Sequence, residues 1–298
     1  MRNFNSKYSF DFNEQWAVDI GARTEYTVST IDVPNESNEV SKSKYLNFVP
    51  MFQSVYRFDE KNNFIFNYGM RISRPGLTYL NPYIDDSDPT NIYFGNPDLN
   101  IVRRDLVTLS YNHLRSKFDL YARLNYSITN NSIQPYLYYA NEILNNTYMN
   151  FGKQQESGLL LYANWTPDDM LRLSLKGTIA YVDIESKQED VLKRAGFSNR
   201  ISGNIAYKLP SDFYISVSGG YYQPSIQLQT KGDPYYYSRI SVSKNWLDDK
   251  LSLALSISNP ISSKTKFQYL TETPDVYRQD IDYRLDQKLK DKTCVSFW

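Results

Sequence analysis

The sequence contains very little of the two residue types on which most metal centres and many hydrolytic sites depend. In 298 residues there is one cysteine, Cys294, and one histidine, His113. Structural zinc sites and serine–histidine pairs draw on several such side chains, and a disulfide requires two cysteines. We therefore expect no intrachain disulfide, no metal site, no cofactor and no catalytic triad.

Two further absences narrow the class of protein. Basic and acidic residues number 33 each, so the chain lacks the excess positive charge of a general nucleic-acid binder. No run of 18 apolar residues occurs, which excludes a transmembrane helix. A transmembrane β-barrel is not excluded, because lipid-facing and lumen-facing residues alternate along its strands and cancel in any window average.

The chain is rich in aromatic residues and in period-two alternation. It contains 27 Tyr, 15 Phe and 4 Trp, residues that favour strands and membrane–water interfaces. About thirteen segments alternate apolar with polar residues, the last of them at 277–285, and most approach the roughly ten residues of a membrane-crossing strand. A typical segment places polar or small residues between five apolar ones: Phe64, Phe66, Tyr68, Met70 and Ile72. This pattern predicts an all-β protein.

The connections between these segments alternate strictly in length. Short ones fall at 13–15, 59–63, 114–117, 166–169, 209–212 and 247–250, and long ones at 31–44, 74–103, 128–148, 185–197, 224–235 and 259–276. Tight turns at one end and long loops at the other are typical of an antiparallel up-and-down transmembrane barrel. The alternative is a soluble all-β module that binds a ligand or carbohydrate and buries its apolar faces between two sheets.

Two segments go beyond alternation. The first carries, in order, Ser73-Arg74-Pro75, Leu80-Asn81-Pro82, Asp88-Pro89 and Gly95-Asn96-Pro97-Asp98-Leu99. The second is a strand with Gly21, Arg23 and Glu25 in a G-x-R-x-E pattern. Together they resemble the barrel of TonB-dependent receptors of the Bacteroidetes outer-membrane type. The family commonly has Pro and an acidic residue where Ile101 and Val102 stand here.

The resemblance implies a 22-stranded barrel that surrounds an N-terminal plug, is embedded in outer-membrane lipid and receives energy from the TonB complex. It also implies a nutrient ligand of siderophore, glycan or peptide class and a possible surface lipoprotein partner. Residues 1–298 would form one partial barrel domain, the last part of that barrel, without plug or signal peptide. After Leu289 the sequence offers only a short stretch ending in Phe297 and Trp298, so we expect an altered last strand.

The best candidates for ligand contact are aromatic clusters in the long connections, since flat aromatic faces suit sugars, siderophores and peptides. They are Tyr79, Tyr83, Tyr93 and Phe94; Tyr136, Tyr138 and Tyr139; and Tyr235, Tyr236 and Tyr237. The simpler interpretation of each is loop packing or an interfacial girdle. The carboxylates of Asp85, Asp86 and Asp88 lack the spacing of a calcium loop. A third hypothesis, an outer-membrane hydrolase, would depend on His113.

Overall fold

The structure, a computed structural model, describes residues 2–32, 40–186, 193–246, 251–260, 264–272, 277–285 and 288–295. Within these ranges the helices are a four-residue turn, α1 (Leu77–Leu80), and a 3-10 turn at Pro210–Asp212. No helix of the described residues has the length and hydropathy to cross a membrane.

Thirteen antiparallel strands form one continuous sheet within the described residues. They are β1 (Arg2–Asp11), β2 (Trp16–Asp32), β3 (Val40–Arg57), β4 (Asn62–Ser73), β6 (Val102–Arg115), β7 (Phe118–Ala140), β8 (Ile143–Trp165), β9 (Leu171–Glu185), β10 (Lys193–Leu209), β11 (Phe213–Gln223), β13 (Tyr235–Trp246), β14 (Leu251–Ser258) and β17 (Lys288–Val295). A short β5 (Asn91–Tyr93) adds to β8 in parallel. Each long strand pairs with its neighbour in the chain order of this sheet, as expected for an up-and-down wall.

A second, three-stranded sheet forms no backbone pairing with this wall among the described residues. It contains β12 (Thr230–Gly232), β15 (Lys264–Glu272) and β16 (Tyr277–Leu285). The segment at 277–285 was therefore rightly predicted as a strand but wrongly assigned to the barrel wall. The last wall strand is β17, which pairs with β14 over eight residues. Phe297 and Trp298 lie outside the described residues.

The short connections fold through side-chain acceptors at one end of the sheet. The Oδ1 atoms of Asn13, Asp59 and Asp168 each accept two backbone N–H groups, two and three residues ahead, at 2.7–2.9 Å. Asx residues favour such tight turns because the side chain replaces a backbone acceptor. The predicted short turn at 247–250 lies outside the described residues.

At the opposite end, strands continue where loops were predicted. β7 and β8 run on to a two-residue turn at Asn141 and Glu142, both with positive φ, a geometry that matches the twist of a hairpin. β2 and β3 likewise stay paired as far as Asp32 and Val40. The predicted loop at 128–148 is therefore mostly a continuation of β7 and β8, and the described residues of the predicted loop 31–44, which are 31–32 and 40–44, belong to β2 and β3. Residues 187–192 of the predicted long connection 185–197 lie outside the described residues.

The distribution of polarity across the wall is inverted relative to a soluble protein. Leu109, Leu124 and Leu159 occupy one face of β6, β7 and β8, and Leu124 is 56% exposed. On the opposite face Thr108 is 7% exposed and accepts a hydrogen bond from Asn67. Apolar rows exposed and polar rows covered are what a lipid-facing wall requires. The alternative of a soluble module with apolar faces packed between sheets is wrong.

Two belts of aromatic side chains frame the exposed apolar face. The belt near the short turns includes Phe12, Trp16, Tyr56, Phe58, Phe64, Tyr111, Phe118, Trp165, Phe213 and Trp246, several of them with ring centroids 4.9–5.3 Å apart. The belt near the long hairpins includes Tyr26, Tyr126, Tyr181, Phe197, Tyr221 and Tyr236. On β2 the belts are ten residues apart, from Trp16 to Tyr26, which is the strand length that crosses a bilayer at a tilt.

Candidate ligand site and receptor motifs

The two family-like motifs meet in space. Arg74 of the S-R-P segment donates from Nη2 to Glu25 Oε2 at 2.6 Å and to Thr27 Oγ1 at 2.9 Å. Glu25 and Arg23 belong to the G-x-R-x-E strand, and Arg23 Nε donates to the other Glu25 oxygen at 2.6 Å. The Glu25 side chain is only 4% exposed. Arg74 therefore anchors the start of the segment 74–101 to β2, at the polar face of the wall.

Segment 74–101, which we call the motif loop, folds back on itself through its L-N-P and G-N-P residues. Gly95 N–H donates to the Asn81 carbonyl at 2.8 Å, and Asn96 N–H donates to the Tyr79 carbonyl at 2.6 Å. A Cβ at Gly95 would lie 2.6–2.7 Å from backbone atoms of Asn81 and Tyr79, closer than any side chain tolerates. Within the motif loop, Asn81, Gly95 and Asn96 build structure; no contact of theirs requires a ligand.

Replacing Gly95 with alanine is expected to open the motif loop while leaving the wall folded. The added Cβ cannot fit without separating the two halves of the loop, whereas the wall strands depend on their own pairing. Limited proteolysis of the membrane-embedded protein should show cleavage within 76–100 in Gly95→Ala. Gly76→Ala is the matched control, because nothing lies within 4 Å of a Cβ there. Equal protection of both variants would contradict this account.

Asparagine side chains close the motif loop onto the projecting part of β8. Asn146 Nδ2 donates to Asn91 Oδ1 at 2.6 Å and to the Ile92 carbonyl at 3.0 Å. Asn150 Oδ1 accepts from Asn100 N–H at 2.7 Å, and Asn96 Nδ2 donates to the Tyr148 carbonyl at 2.9 Å. The motif loop is thus held along β8 by amide contacts at β5 and at the residues that follow it.

Between the motif loop and the β7–β8 hairpin lies a cavity of about 660 Å³, here called the loop cavity. Three of the ligand candidates line it, Tyr83, Tyr93 and Phe94, as do Asn81, Pro82 and Gly95 of the motifs. Tyr79 packs its ring against Tyr148, a lining residue, with centroids 4.5 Å apart. The hairpin contributes residues that sequence reasoning missed: Pro135, Leu137, Asn146, Thr147 and Tyr148. Their only signal was the run of Asn and Thr at 145–147.

Carboxylates near the loop cavity are held in their charged form. Hydrogen bonds from the Ser87 side chain and backbone lower the pKa of Asp85, and those from Thr90 lower the pKa of Asp88. Both carboxylates therefore serve as turn acceptors. Within the described ranges, no group of three or more His, Cys, Asp or Glu side chains is placed to hold a metal ion. His113 bonds through Nδ1 to Asn62 Oδ1 at 2.6 Å, at the short-turn end of β6.

The remaining aromatic candidates are dispersed. Tyr136 stacks on Tyr138 and packs into a small apolar cluster of Phe151, Val182, Ile184 and Leu228, while Tyr139 is half exposed at the hairpin tip. Tyr235 packs between Tyr222 and Phe267. Tyr236 belongs to the aromatic belt near the long hairpins, and the Tyr237 ring lies over Gly220. The structure therefore gathers the first cluster around the loop cavity, and none of the described residues that line this cavity comes from the other two clusters.

The polar face of the wall carries buried donors with no hydrogen-bond partner among the described residues. These are Arg74 Nε, Arg104 Nε, Arg123 Nε and Asn47 Nδ2. A buried unpaired donor costs about 1–3 kcal/mol, more if it is charged. These four donors need acceptors from outside the described residues, either water in the lumen or a further part of the protein.

The inverted polarity, the two aromatic belts and the folded motif loop define part of the wall of a membrane-spanning β-barrel. The model of the outer membrane protein beta-barrel family matches residues 6–290. The chain belongs to this family, and it is a multi-pass β-barrel protein of the Gram-negative outer membrane.

Solved structures share its fold. The ferric yersiniabactin uptake receptor FyuA from Yersinia pestis superposes with a TM-score of 0.68 at 12% identity, over 99% of this chain and 45% of that one. The FrpB iron transporter from Neisseria meningitidis (F5-1 variant) gives 0.66 at 11%, over 97% and 44%. The siderophore receptor PirA from Pseudomonas aeruginosa gives 0.62 at 13%, over 87% and 45%.

This chain therefore spans less than half the length of these structures. Comparison with curated proteins by sequence finds no significant match. The predicted outer-membrane β-barrel is confirmed by the family model, and the resemblance to the barrel portion of a receptor is confirmed at the level of the fold.

Proposed function

We propose that this chain is the C-terminal part of the barrel of a TonB-dependent receptor that imports a nutrient across the outer membrane. The observation that carries the proposal is the inverted wall, in which Leu124 and its neighbours are exposed while polar residues such as Thr108 are covered. The similar solved structures carry the titles of iron transporters and siderophore receptors. The proposed role is therefore transport and not catalysis.

The unpaired edges of the wall are evidence that the complete barrel has more than thirteen strands. Within the described residues, β1 pairs only with β2 and β17 only with β14, so both edges carry unpaired backbone groups. Such edges are not tolerated in lipid. Outer-membrane transporters close at 22 strands around a plugged lumen, and 22 minus 13 leaves about nine strands to join the edges. We assign those strands, and a plug before them, to an upstream portion of the protein.

The unpaired donors of the polar face support the plug. The wall provides no hydrogen-bond acceptor for the buried N–H groups of Arg74, Arg104, Arg123 and Asn47. A plug filling the lumen would provide carbonyl and carboxylate acceptors for them. A surface lipoprotein that covers the long hairpins remains a prediction from the family resemblance.

Binding of TonB to the full-length protein tests this function. A purified TonB periplasmic domain should bind the detergent-solubilised protein, and deletion of the segment before the plug should abolish binding. The unheated protein should also migrate faster in gels than the heat-denatured protein, as closed barrels do. A full-length protein that is soluble without detergent, or that does not bind TonB, would exclude the proposed role.

A further inference from the structure

The exposed apolar face of the wall carries a furrow of about 390 Å³ across strands β6 to β10, here called the lipid furrow. None of the described residues that line it is charged. Its position decides what covers it, because this face of the wall lies in the hydrocarbon of the bilayer. A concave apolar surface contacts a hydrocarbon chain on more sides than a flat one does, and each added contact contributes dispersion attraction.

Side chains of the aromatic belt near the long hairpins form the outer edge of the lipid furrow, with one gap. The strand register places Tyr126, Ser157, Tyr181 and Phe197 side by side on β7, β8, β9 and β10. The rings of Tyr181 and Phe197 contact each other with centroids 5.3 Å apart, which fixes one side of the gap. Ser157 is exposed and too short to fill the space between its two tyrosine neighbours. The belt is therefore open at Ser157.

Aliphatic side chains form the inner edge of the lipid furrow on consecutive strands from β6 to β9. They are 37–56% exposed and stand in register: Leu109, Leu124, Leu159 and Ile179. Leu109 is two residues from Tyr111, which belongs to the opposite belt. Because transmembrane strands are tilted by about 45°, a furrow that follows their register is oblique to the membrane plane. From Ser157 it leads inward to Leu109 across two strand spacings, about 10 Å.

The gap at Ser157 lies where the wall changes from apolar to polar. Two residues further out on the same face, Gln155 of β8 stands beside Asp183 of β9, and Lys193 lies 3.8 Å from the Asp183 carboxylate. Tyrosine rings at such a boundary place their hydroxyl groups at the level of the lipid headgroups. The lipid furrow therefore opens toward the headgroup region and closes within the hydrocarbon.

From these observations we propose that the lipid furrow holds one acyl chain of a lipid of the outer leaflet. Long connections mark the outer side of such a barrel, so the gap opens toward that leaflet. The chain enters at Ser157, whose hydroxyl donates to the ester carbonyl, and lies between the two edges as far as Leu109. The inference goes beyond the proposed function and depends only on the placement of the wall in the membrane.

Photo-labelling of the full-length protein in phospholipid vesicles tests the position of the chain. A phospholipid with a diazirine beside the ester should label Ser157 and Tyr181, and one with a diazirine at the chain end should label Leu109. Strand β2 is the control, because Tyr26 and Ile20 also face lipid but lie outside the furrow, so they should take up several-fold less of either label. Equal labelling of β2 and the furrow, or one pattern for both probes, would overturn the proposal.

Variants at the gap test retention of the lipid. Ser157→Trp closes the entrance and should lower at least tenfold the amount of phospholipid that stays bound through detergent extraction, as measured by native mass spectrometry. Thr24→Trp is the matched control, because Thr24 stands between Phe4 and Phe48 on the same face but outside the furrow; its retention should equal that of the unmodified protein. If Ser157→Trp does not assemble, Tyr181→Ala, which removes one side of the gap, should show the loss.

Unchanged retention in the gap variants, or an equal loss in Thr24→Trp, would show that the lipid furrow does not hold the chain. Binding of TonB by the full-length protein does not involve this face of the wall, so a failure of the proposed function and a failure of the lipid furrow are distinguishable.

Discussion

Replacing Arg74 with methionine is expected to lower the free energy of unfolding by about 3 kcal/mol. The Glu25 carboxylate is 4% exposed and receives a 2.6 Å hydrogen bond from Arg74. Removing Arg74 leaves the Oε2 atom of this buried carboxylate without its charged partner, and the remaining bond from Arg23 to Oε1 compensates only in part. Urea unfolding of the full-length protein in lipid vesicles, followed by tryptophan fluorescence, would measure the loss.

The neighbouring arginine provides the control. Arg23 bonds to the same carboxylate, but its side chain is 48% exposed, so Arg23→Met should cost less than about 1 kcal/mol. The double variant Glu25→Gln with Arg74→Met should recover part of the loss, since no unpaired charge remains. Equal losses for the two arginines would mean that burial of the Arg74–Glu25 pair is not what stabilises this junction.

An arginine at position 175 is expected to destabilise the folded barrel by about 2–4 kcal/mol. Leu175 lies between the levels of the two aromatic belts, which β9 meets at Leu173 beside Trp165 and at Tyr181, and it is on the exposed apolar face, where an arginine side chain would have to enter lipid. Thr178→Arg, three residues along the same strand, places the charge on the polar face beside the register positions of Leu160 and Arg200. That variant should change the unfolding free energy by less than about 1 kcal/mol.

The same vesicle unfolding assay distinguishes these two variants. If Thr178→Arg proved more harmful than Leu175→Arg, the assignment of lipid-facing and lumen-facing rows would be reversed. Labelling with a lipid-phase carbene would provide an independent check, because it should modify Leu175 and spare Thr178.

The number of wall strands was predictable from the sequence, but the identity of the last one was not. Alternation in Tyr277, Ile281 and Tyr283 shows a strand with two unlike faces, and β16 is such a strand. Its partner is β15, however, and β17 takes the place beside β14. Alternation reports the two faces of a strand and contains nothing about which strand it will pair with.

The lengths of the connections were predicted less well than their alternation. Polar stretches such as 128–148 have the composition of loops, yet β7 and β8 remain paired to the turn at Asn141. Pairing there is supported by contacts from elsewhere, such as Gln229, whose side chain bonds both backbone groups of Leu137. Composition alone does not reveal such support, because Gln229 and Leu137 are 92 residues apart.

In the candidate site, too, some residues were predictable from the sequence and others only from the tertiary structure. The motifs singled out Arg74, Asn81 and Gly95, and the aromatic clusters gave Tyr83, Tyr93 and Phe94 as predicted ligand contacts, but the contribution of the β7–β8 hairpin came only from the folded chain. The sequence by itself determined most of the two-faced strands and the positions of the short connections, because these depend on neighbours a few positions away. Only the tertiary structure decided which strands adjoin, that Arg74 reaches Glu25, and that the motif loop encloses a cavity with β8. Those contacts join distant residues, and their energy appears only when the whole wall has formed.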